Sequence, residues 1–412
     1  MGRRGNHTLK IEIFPSRAVG FVTAPPSKSH AHRLLIGASL SEGISRLDHF
    51  SFSDDLRATS DCLSSLGASF RCEGDVMTVS GASMLSLKPK ATLCCRESGS
   101  TLRFLIPLAL TLGETVCFTG SKRLLSRPLS VYENLAGQKH FLFEKTEETL
   151  SVRGPLTAGA YEIPGSVSSQ FISGLLMALP LLPGDSTLKL IPPIVSRPYI
   201  ELTLSVLNRF GIRIDRTEET AFFIPGNQRY VPLHEAVEGD FSNAAFLSAF
   251  SFLSGHVAVG VLSSDSKQGD RVYPHLFTRL QNGFIDENLS DCPDLAPILF
   301  LMAALKHGAR FTGVSRLREK ESDRIASMRE EMAKCGLFLT EKENEVVIPG
   351  NQKPFSPTQT LLSHGDHRIA MALTVLLSQV GGELDGAEAV GKSFPAFYDT
   401  LQTLGIVLKR KE

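Results

Sequence analysis

Six segments of this chain are apolar on almost every face of a helix: RLLIGASL, STLRFLIPLAL, FISGLLMALPLL, AAFLSAFSFL, DLAPILFLMAAL and RIAMALTVLL. A surface helix needs one apolar stripe, whereas a helix apolar all round has to be covered on every side. Such helices force a fold in which they lie inside and other elements wrap them. The wrapping elements are legible too. Six times a more amphipathic helical stretch ends in glycine and runs into a short strand, at Gly67, Gly137, Gly211, Gly283, Gly336 and Gly405, as expected of a helix closed by a left-handed residue. After four of them comes a strand closing on glycine: VMTVSG, LSVRG, FFIPG and EVVIPG. The interval from Gly283 to Gly336 is the shortest and reads as trimmed. The chain is a weak internal repeat, and its 412 residues exceed what one core usually serves, so two domains are expected.

Each apolar helix is entered through a polar cluster: SKSH, ESGS, SVSSQ, GDFS, DCPD and GDHR. Ser and Asp there serve as N-caps. Lys and Arg recur beside them in a chain whose 43 basic and 43 acidic residues cancel. Without a bulk positive field, nucleic acid and anionic membrane gain no support as partners. An anion site must be built from local cations at helix N-termini, where free N–H groups and the helix dipole favour phosphate. The apolar run from Leu295 to Leu305 is too short to cross a bilayer. MGRRGNHTLKIEIF lacks the apolar run of a signal peptide, and Asn6 stands where a myristoylation motif starting at Met1-Gly2 wants Ser or Thr. Seven cysteines, an odd count without metal spacing, read as free thiols in a reducing cytosol. A soluble, cytoplasmic protein is expected.

The clusters also contain the candidate chemistry. In PPSKSHAHRLLIGASL, Ser29 and Arg33 are four apart on one helical face beside Lys28, a charge-assisted grip for phosphate or carboxylate. His30 and His32 read as exposed bystanders, with no third metal ligand near them. Gly99-Ser100 opens a buried helix and lets a ligand approach the backbone. Arg127 precedes Pro128 at a helix start. Ser168-Ser169-Gln170 and Ser196-Arg197-Pro198-Tyr199 supply neutral hydrogen-bonding groups suited to a polyol or to phosphate oxygens. In RLREKESDR, Lys320 and Arg324 are four apart, with Glu321 beside Lys320; two cations and a carboxylate can bind an acidic substrate while handling a proton. Arg368 opens another buried helix and Lys392 sits in a loop before the last one, each needing an anionic partner so near an apolar body. Asp294, before LAPILFLMAAL, reads as an N-cap or as an acceptor aimed at a ligand. Each motif taken alone is equally a cap, a turn or a salt-bridged helix start.

Taken together and in order, SKSxxxR, SSQ, SRPYI, KESDR, DHRxAM and KSFP resemble the 5-enolpyruvylshikimate-3-phosphate synthase family, over about Pro25 to Pro395. The resemblance implies an α/β (α+β) fold of two similar inside-out α/β barrel domains. Each would hold three βαβαββ repeats around buried helices, with the active site in the interdomain cleft. It implies residues 1–23 plus 230–412 as one domain and 24–229 as an inserted one, with hinges near 23–24 and 230–235. It implies transfer of the enolpyruvyl group of phosphoenolpyruvate to the 5-hydroxyl of shikimate 3-phosphate, a step toward chorismate and the aromatic amino acids. No metal or organic cofactor is called for, and a monomer is expected.

Carried over by motif, shikimate 3-phosphate would contact Lys28, Ser29, Arg33, Ser168, Ser169, Gln170, Ser196, Tyr199, Asp294 and Lys320. Phosphoenolpyruvate would contact Lys28, Gly99, Ser100, Arg127, Gln170, Arg324, Arg368 and Lys392. Asp294 would be the base on the 5-hydroxyl, with Glu321 and Lys28 handling the proton at C3 of phosphoenolpyruvate. Glyphosate is expected to inhibit, because Gly99 leaves room against the backbone. Two positions depart from many relatives: Glu97-Ser98-Gly99-Ser100 replaces Asn-Ala-Gly-Thr, and Arg316 stands where Asn can stand. Alternatives are a UDP-N-acetylglucosamine enolpyruvyl transferase and a non-catalytic phosphometabolite-binding protein on the same fold.

Overall fold

The computed structural model describes residues 9–82 and 92–411; Met1-Gly2 and Asn6, read above for lipidation, lie outside them. The six apolar segments are helices α1 (Lys28–Leu40), α2 (Gly99–Ala109), α3 (Ser169–Ala178), α4 (Phe241–Leu253), α5 (Ala296–Leu305) and α6 (His367–Val380). In α5 every residue from Ala296 to Ala304 is buried, and Pro297 sits in the first turn, where its missing N–H costs nothing.

The chain divides into two compact units, Met1–Pro25 with Gly239–Glu412, and Pro26–Glu238. Each has its own core, around α1–α3 in the inserted unit and α4–α6 in the terminal unit. The divisions fall later than the sequence suggested, at 25–26 and 238–239. The reason is a backbone pairing: His234–Ala236 lies parallel to Gly43–Asp48 and keeps segment 230–238 with the inserted unit.

Among the described residues the inserted unit has three four-stranded sheets of one pattern, a parallel pair extended by two antiparallel strands. Their strands alternate, as Ser186–Ile191 does, burying Ser186, Leu188 and Leu190 and exposing Thr187, Lys189 and Ile191. The sheets thus form the outer wall and the apolar helices the inside. The terminal unit repeats the pattern twice. Its third sheet is the parallel pair Val19–Thr23 and His256–Gly260 alone. There the helix Tyr273–Asn282 runs straight into Ile285–Asn288, which belongs to the next sheet. A missing hairpin is therefore what shortens the interval after Gly283.

Close approach of helices fixes the geometry of the N-termini. On α3, a Cβ at Gly174 would lie 2.6 Å from the Arg103 carbonyl oxygen and 2.7 Å from the Tyr132 hydroxyl. Glycine lets α3 reach α2 there, and the Tyr132 hydroxyl donates to the Arg103 carbonyl at 2.7 Å. No described helix is long and apolar enough to cross a membrane.

Candidate active site

Capping consumes one residue in five of the six polar clusters and leaves its neighbours available. The side chains of Ser27, Ser98, Ser168, Asp240 and Asp366 accept backbone N–H bonds in the first turns of α1, α2, α3, α4 and α6. Helix α5 is different. Asp294 lies in a 3-10 turn, Pro293–Leu295, and makes no cap bond. Its carboxylate goes to cations instead.

In the inserted unit the expected residues gather in three groups. Arg33, buried, donates from Nε to Thr203 Oγ1 (2.8 Å), from Nη1 to the Ser29 carbonyl (2.7 Å), and from Nη2 to the Tyr199 carbonyl (3.1 Å) and Ser173 Oγ (3.3 Å). All four acceptors are neutral, so the guanidinium is held in place without a counter-charge. Burial pulls it down to about 10, which leaves it cationic at neutral pH. A fixed, buried cation among neutral acceptors has the chemistry to receive an anion. Ser196 stands next to this group in a left-handed conformation (φ 56°), which costs a residue with a Cβ about 1–3 kcal/mol.

The second group surrounds the N-terminus of α2. A Cβ at Gly99 would lie 2.8 Å from Arg127 Nη1, 3.2 Å from Arg103 Nη1 and 3.7 Å from Gln170 Oε1. Gln170 Nε2 donates to Ser100 Oγ at 2.9 Å, and Arg103 Nη1 donates to Gln170 Oε1 at 2.7 Å. Two cations and an amide thus converge where the helix dipole is positive. Arg103 was not foreseen, although a cation one turn into an otherwise apolar helix was a visible signal. Exposed Glu97 lies just ahead of the Ser98 cap.

The third group is Lys28, whose Nζ is 2.9 Å from Asp55 Oδ2. Here the sequence reading of the histidines fails: His30 and His32 are 3% and 1% exposed, not bystanders. His32 Nδ1 lies 2.8 Å from Thr59 Oγ1, and Thr59 is 2.7 Å from Thr101 Oγ1, which also reaches Ser98 Oγ at 2.7 Å. A hydroxyl chain therefore ties the Lys28 turn to the start of α2. Burial, then Lys28 and Arg33, hold His32 well below its ordinary pKa, so it is neutral. Burial pulls His30 down to about 4. Histidines inside an apolar helix are found from packing, which periodicity of single residues does not give.

The terminal unit gathers the charged residues. Arg324, 1% exposed, donates from Nη1 to Asp294 Oδ1 (2.8 Å), from Nη2 to Glu321 Oε2 (3.0 Å) and from Nε to Asp366 Oδ2 (2.9 Å). Asp294 is also 3.4 Å from Lys320 Nζ and 3.5 Å from Arg368 Nη2. Burial favours a neutral Asp294, but Lys320, Arg324 and Arg368 outweigh it and hold the carboxyl well below the usual range. Burial alone would lower Arg324; Asp366, Asp294 and Glu321 outweigh it and hold the guanidinium firmly charged. Burial lowers Lys320, opposed by Asp294, and Arg324 and Arg316 lower it further. Arg316 thus acts on this group through its charge. Arg368 Nη1 donates to Asn243 Oδ1 at 2.9 Å, and Lys392 Nζ to the Gly365 carbonyl at 2.7 Å.

One local expectation changes. Lys320 and Glu321 precede the helix Arg324–Ala333 in non-helical chain, with Lys320 extended (ψ −163°), so the pairing of Lys320 with Arg324 is not a helical one. Both meet on Asp294 instead. Asp366, Asn243 and Asp55 were missed as partners because each lies far along the chain from the cation it holds. Among the described residues, Glu330, Glu331 and His364 bring metal-type donor atoms together. Glu331 is already held there by Lys334 Nζ at 2.8 and 2.9 Å, so a cation would face an ammonium group.

Cations thus gather at helix N-termini in each unit, and in the terminal unit three carboxylates, Asp294, Glu321 and Asp366, are paired with Arg324. Comparison with known proteins identifies the family. The family model described as EPSP synthase (3-phosphoshikimate 1-carboxyvinyltransferase) matches residues 14–401. The chain is 39% identical to a 3-phosphoshikimate 1-carboxyvinyltransferase of Clostridium kluyveri, across 96% of this chain and 97% of that one. It is 37% identical to that of Clostridium acetobutylicum, with the same coverage. In fold it is similar to an EPSP synthase from Acinetobacter baumannii (TM-score 0.77, 23% identity, 98% of this chain and 100% of that one). It is also similar to the enolpyruvyl transferase NikO from Streptomyces tendae (TM-score 0.78, 13% identity, 98% and 99%). A family match across nearly the whole sequence, with two curated relatives well above 30% identity, places this chain in the EPSP synthase family.

Proposed function

We propose that the protein transfers the enolpyruvyl group of phosphoenolpyruvate to the 5-hydroxyl of shikimate 3-phosphate, releasing phosphate. The observation that supports this most is the Asp294–Lys320–Arg324–Arg368 cluster, in which an ionised acceptor is surrounded by cations that two phosphorylated acids would need. Arg33, Ser29, Ser168, Ser169, Ser196, Tyr199 and Lys320 would hold shikimate 3-phosphate. Arg127, Gly99, Ser100, Gln170, Arg324, Arg368 and Lys392 would hold phosphoenolpyruvate. Both sets serve one pair of substrates.

In this reading Asp294 takes the proton of the 5-hydroxyl. The cations that keep it ionised also blunt its basicity; bound anions offset them and restore it. Glu321 and Lys28 deliver a proton to C3 as the hydroxyl oxygen attacks C2, giving a tetrahedral intermediate. Removal of that proton expels phosphate and restores the enol ether. The cations stabilise the charge through both steps, and one positioned acid or base contributes roughly 10²–10⁴-fold. The protein would work as a cytoplasmic monomer.

The test is phosphate release from phosphoenolpyruvate with shikimate 3-phosphate or UDP-N-acetylglucosamine as acceptor. Release with the first acceptor supports the proposal. Release only with the second, or binding without release, overturns it.

A further inference from the structure

One buried acid of the terminal unit has no part in the scheme above. Asp270, 1% exposed, lies in the 3-10 turn Gly269–Val272. Ser242 Oγ, at the start of α4, donates to its Oδ2, while Oδ1 is buried without any hydrogen-bond partner. No Lys or Arg of the described residues pairs with it. The charged groups facing it are Asp240 at the start of α4, Asp294 before α5 and Arg368 on α6, and its own charge reaches the Cys292 thiol. Two carboxylates and one already engaged guanidinium are poor company for another negative charge.

We propose that Asp270 is a positioning residue that stores a proton for the phosphoenolpyruvate cluster, taking it up when an anionic ligand draws on Arg368. The inference rests on the reading of Arg368 as a phosphoenolpyruvate ligand. With Asp270 protonated, Lys320, Arg324, Arg368 and Arg316 stand against Asp294, Glu321, Asp366 and Asp240, and the charges balance. With Asp270 ionised there is one carboxylate too many, and the cluster repels an incoming anion. Geometry favours the proton, since a lone donor serves two buried oxygens. Burial, then Asp294, push this carboxyl up to about 7, with Ser242 and Arg368 opposing. A ligand anion adds negative charge and occupies Arg368, and both effects raise it further.

The sign for stability follows from the same shift. The unfolded chain releases this proton in the ordinary carboxylate range, whereas the folded state keeps it up to about 7. The wild type therefore loses stability as pH rises between those values, and Asp270→Asn does not. The melting temperature of the variant minus that of the wild type should grow through that window.

The experiment titrates the full-length protein with phosphoenolpyruvate in two buffers of different ionisation enthalpy, on both sides of neutrality. The wild type should take up a fraction of a proton more than Asp270→Asn on the alkaline side and no more on the acidic side. Ser242→Ala, which removes the one donor, should move that window to higher pH. Equal uptake by wild type and Asp270→Asn overturns the proposal. If Asp270→Asn fails to fold, an unmoved window in Ser242→Ala overturns it instead. Absence of any binding heat in the wild type removes the ligand reading and this inference with it, an outcome distinct from binding with unchanged uptake.

Discussion

Asp366 offers the sharpest test of how the terminal cluster is held. It is fully buried, and its carboxylate accepts Arg324 Nε at 2.9 Å, Arg324 Nη2 at 3.4 Å, Ser322 Oγ at 3.2 Å and the Arg368 N–H at 2.9 Å. Asp366→Ala removes one of the three carboxylates around a guanidinium that is 1% exposed. Removing one partner of a buried ion pair costs about 3–5 kcal/mol. Asp294 and Glu321 remain at 2.8 and 3.0 Å, which puts the loss at the lower end. Losing the cap of α6 adds about 1 kcal/mol. The expected loss is about 4 kcal/mol, roughly three decades in the unfolding constant. Asp366→Asn keeps an oxygen for the Arg368 N–H and loses only the charge, so it should lose less. The chain has no Trp, so urea unfolding is followed by far-ultraviolet circular dichroism. Arg324 should also swing off its position, raising KM for phosphoenolpyruvate by about tenfold or more, the worth of one charge-assisted hydrogen bond. An Asp366→Ala protein with an unmoved urea midpoint and unchanged steady-state constants would refute the reasoning, because Asp294 and Glu321 alone would then suffice.

Two further substitutions probe the chemistry. Gly99→Ala puts a methyl 2.8 Å from Arg127 Nη1, so the guanidinium must move by about half an ångström. KM for phosphoenolpyruvate should rise and glyphosate inhibition weaken with little change in melting temperature; unchanged inhibition contradicts the steric account. Glu321→Ala should lower kcat far more than it weakens shikimate 3-phosphate binding, and equal losses in the two would make Glu321 a structural residue.

Some of this protein was settled by sequence alone, for a physical reason. Helix periodicity is local, and the all-round apolarity of segments such as LAPILFLMAAL makes burial unavoidable wherever the rest of the chain goes. The closing glycines Gly67, Gly211, Gly336 and Gly405, all at positive φ, and the trimmed copy after Gly283 are local too, since a missing hairpin is a missing stretch of residues; the expectation fails at Gly137, which lies inside a helix closed by left-handed His140, and at Gly283, which is extended. Cations beside caps at Lys28, Arg324 and Arg368 were visible for the same reason. Partner choice was not. Arg33 meets Thr203, 170 positions away, and Arg324 meets Asp366, 42 positions away, only because helices of separate repeats pack together. The tertiary structure also decided that Asp294 faces cations instead of capping α5, that His30 and His32 are buried, and that Asp270 is buried with Ser242 as its one donor. Each of those outcomes depends on desolvation and on charges contributed by distant segments, which no window of sequence contains.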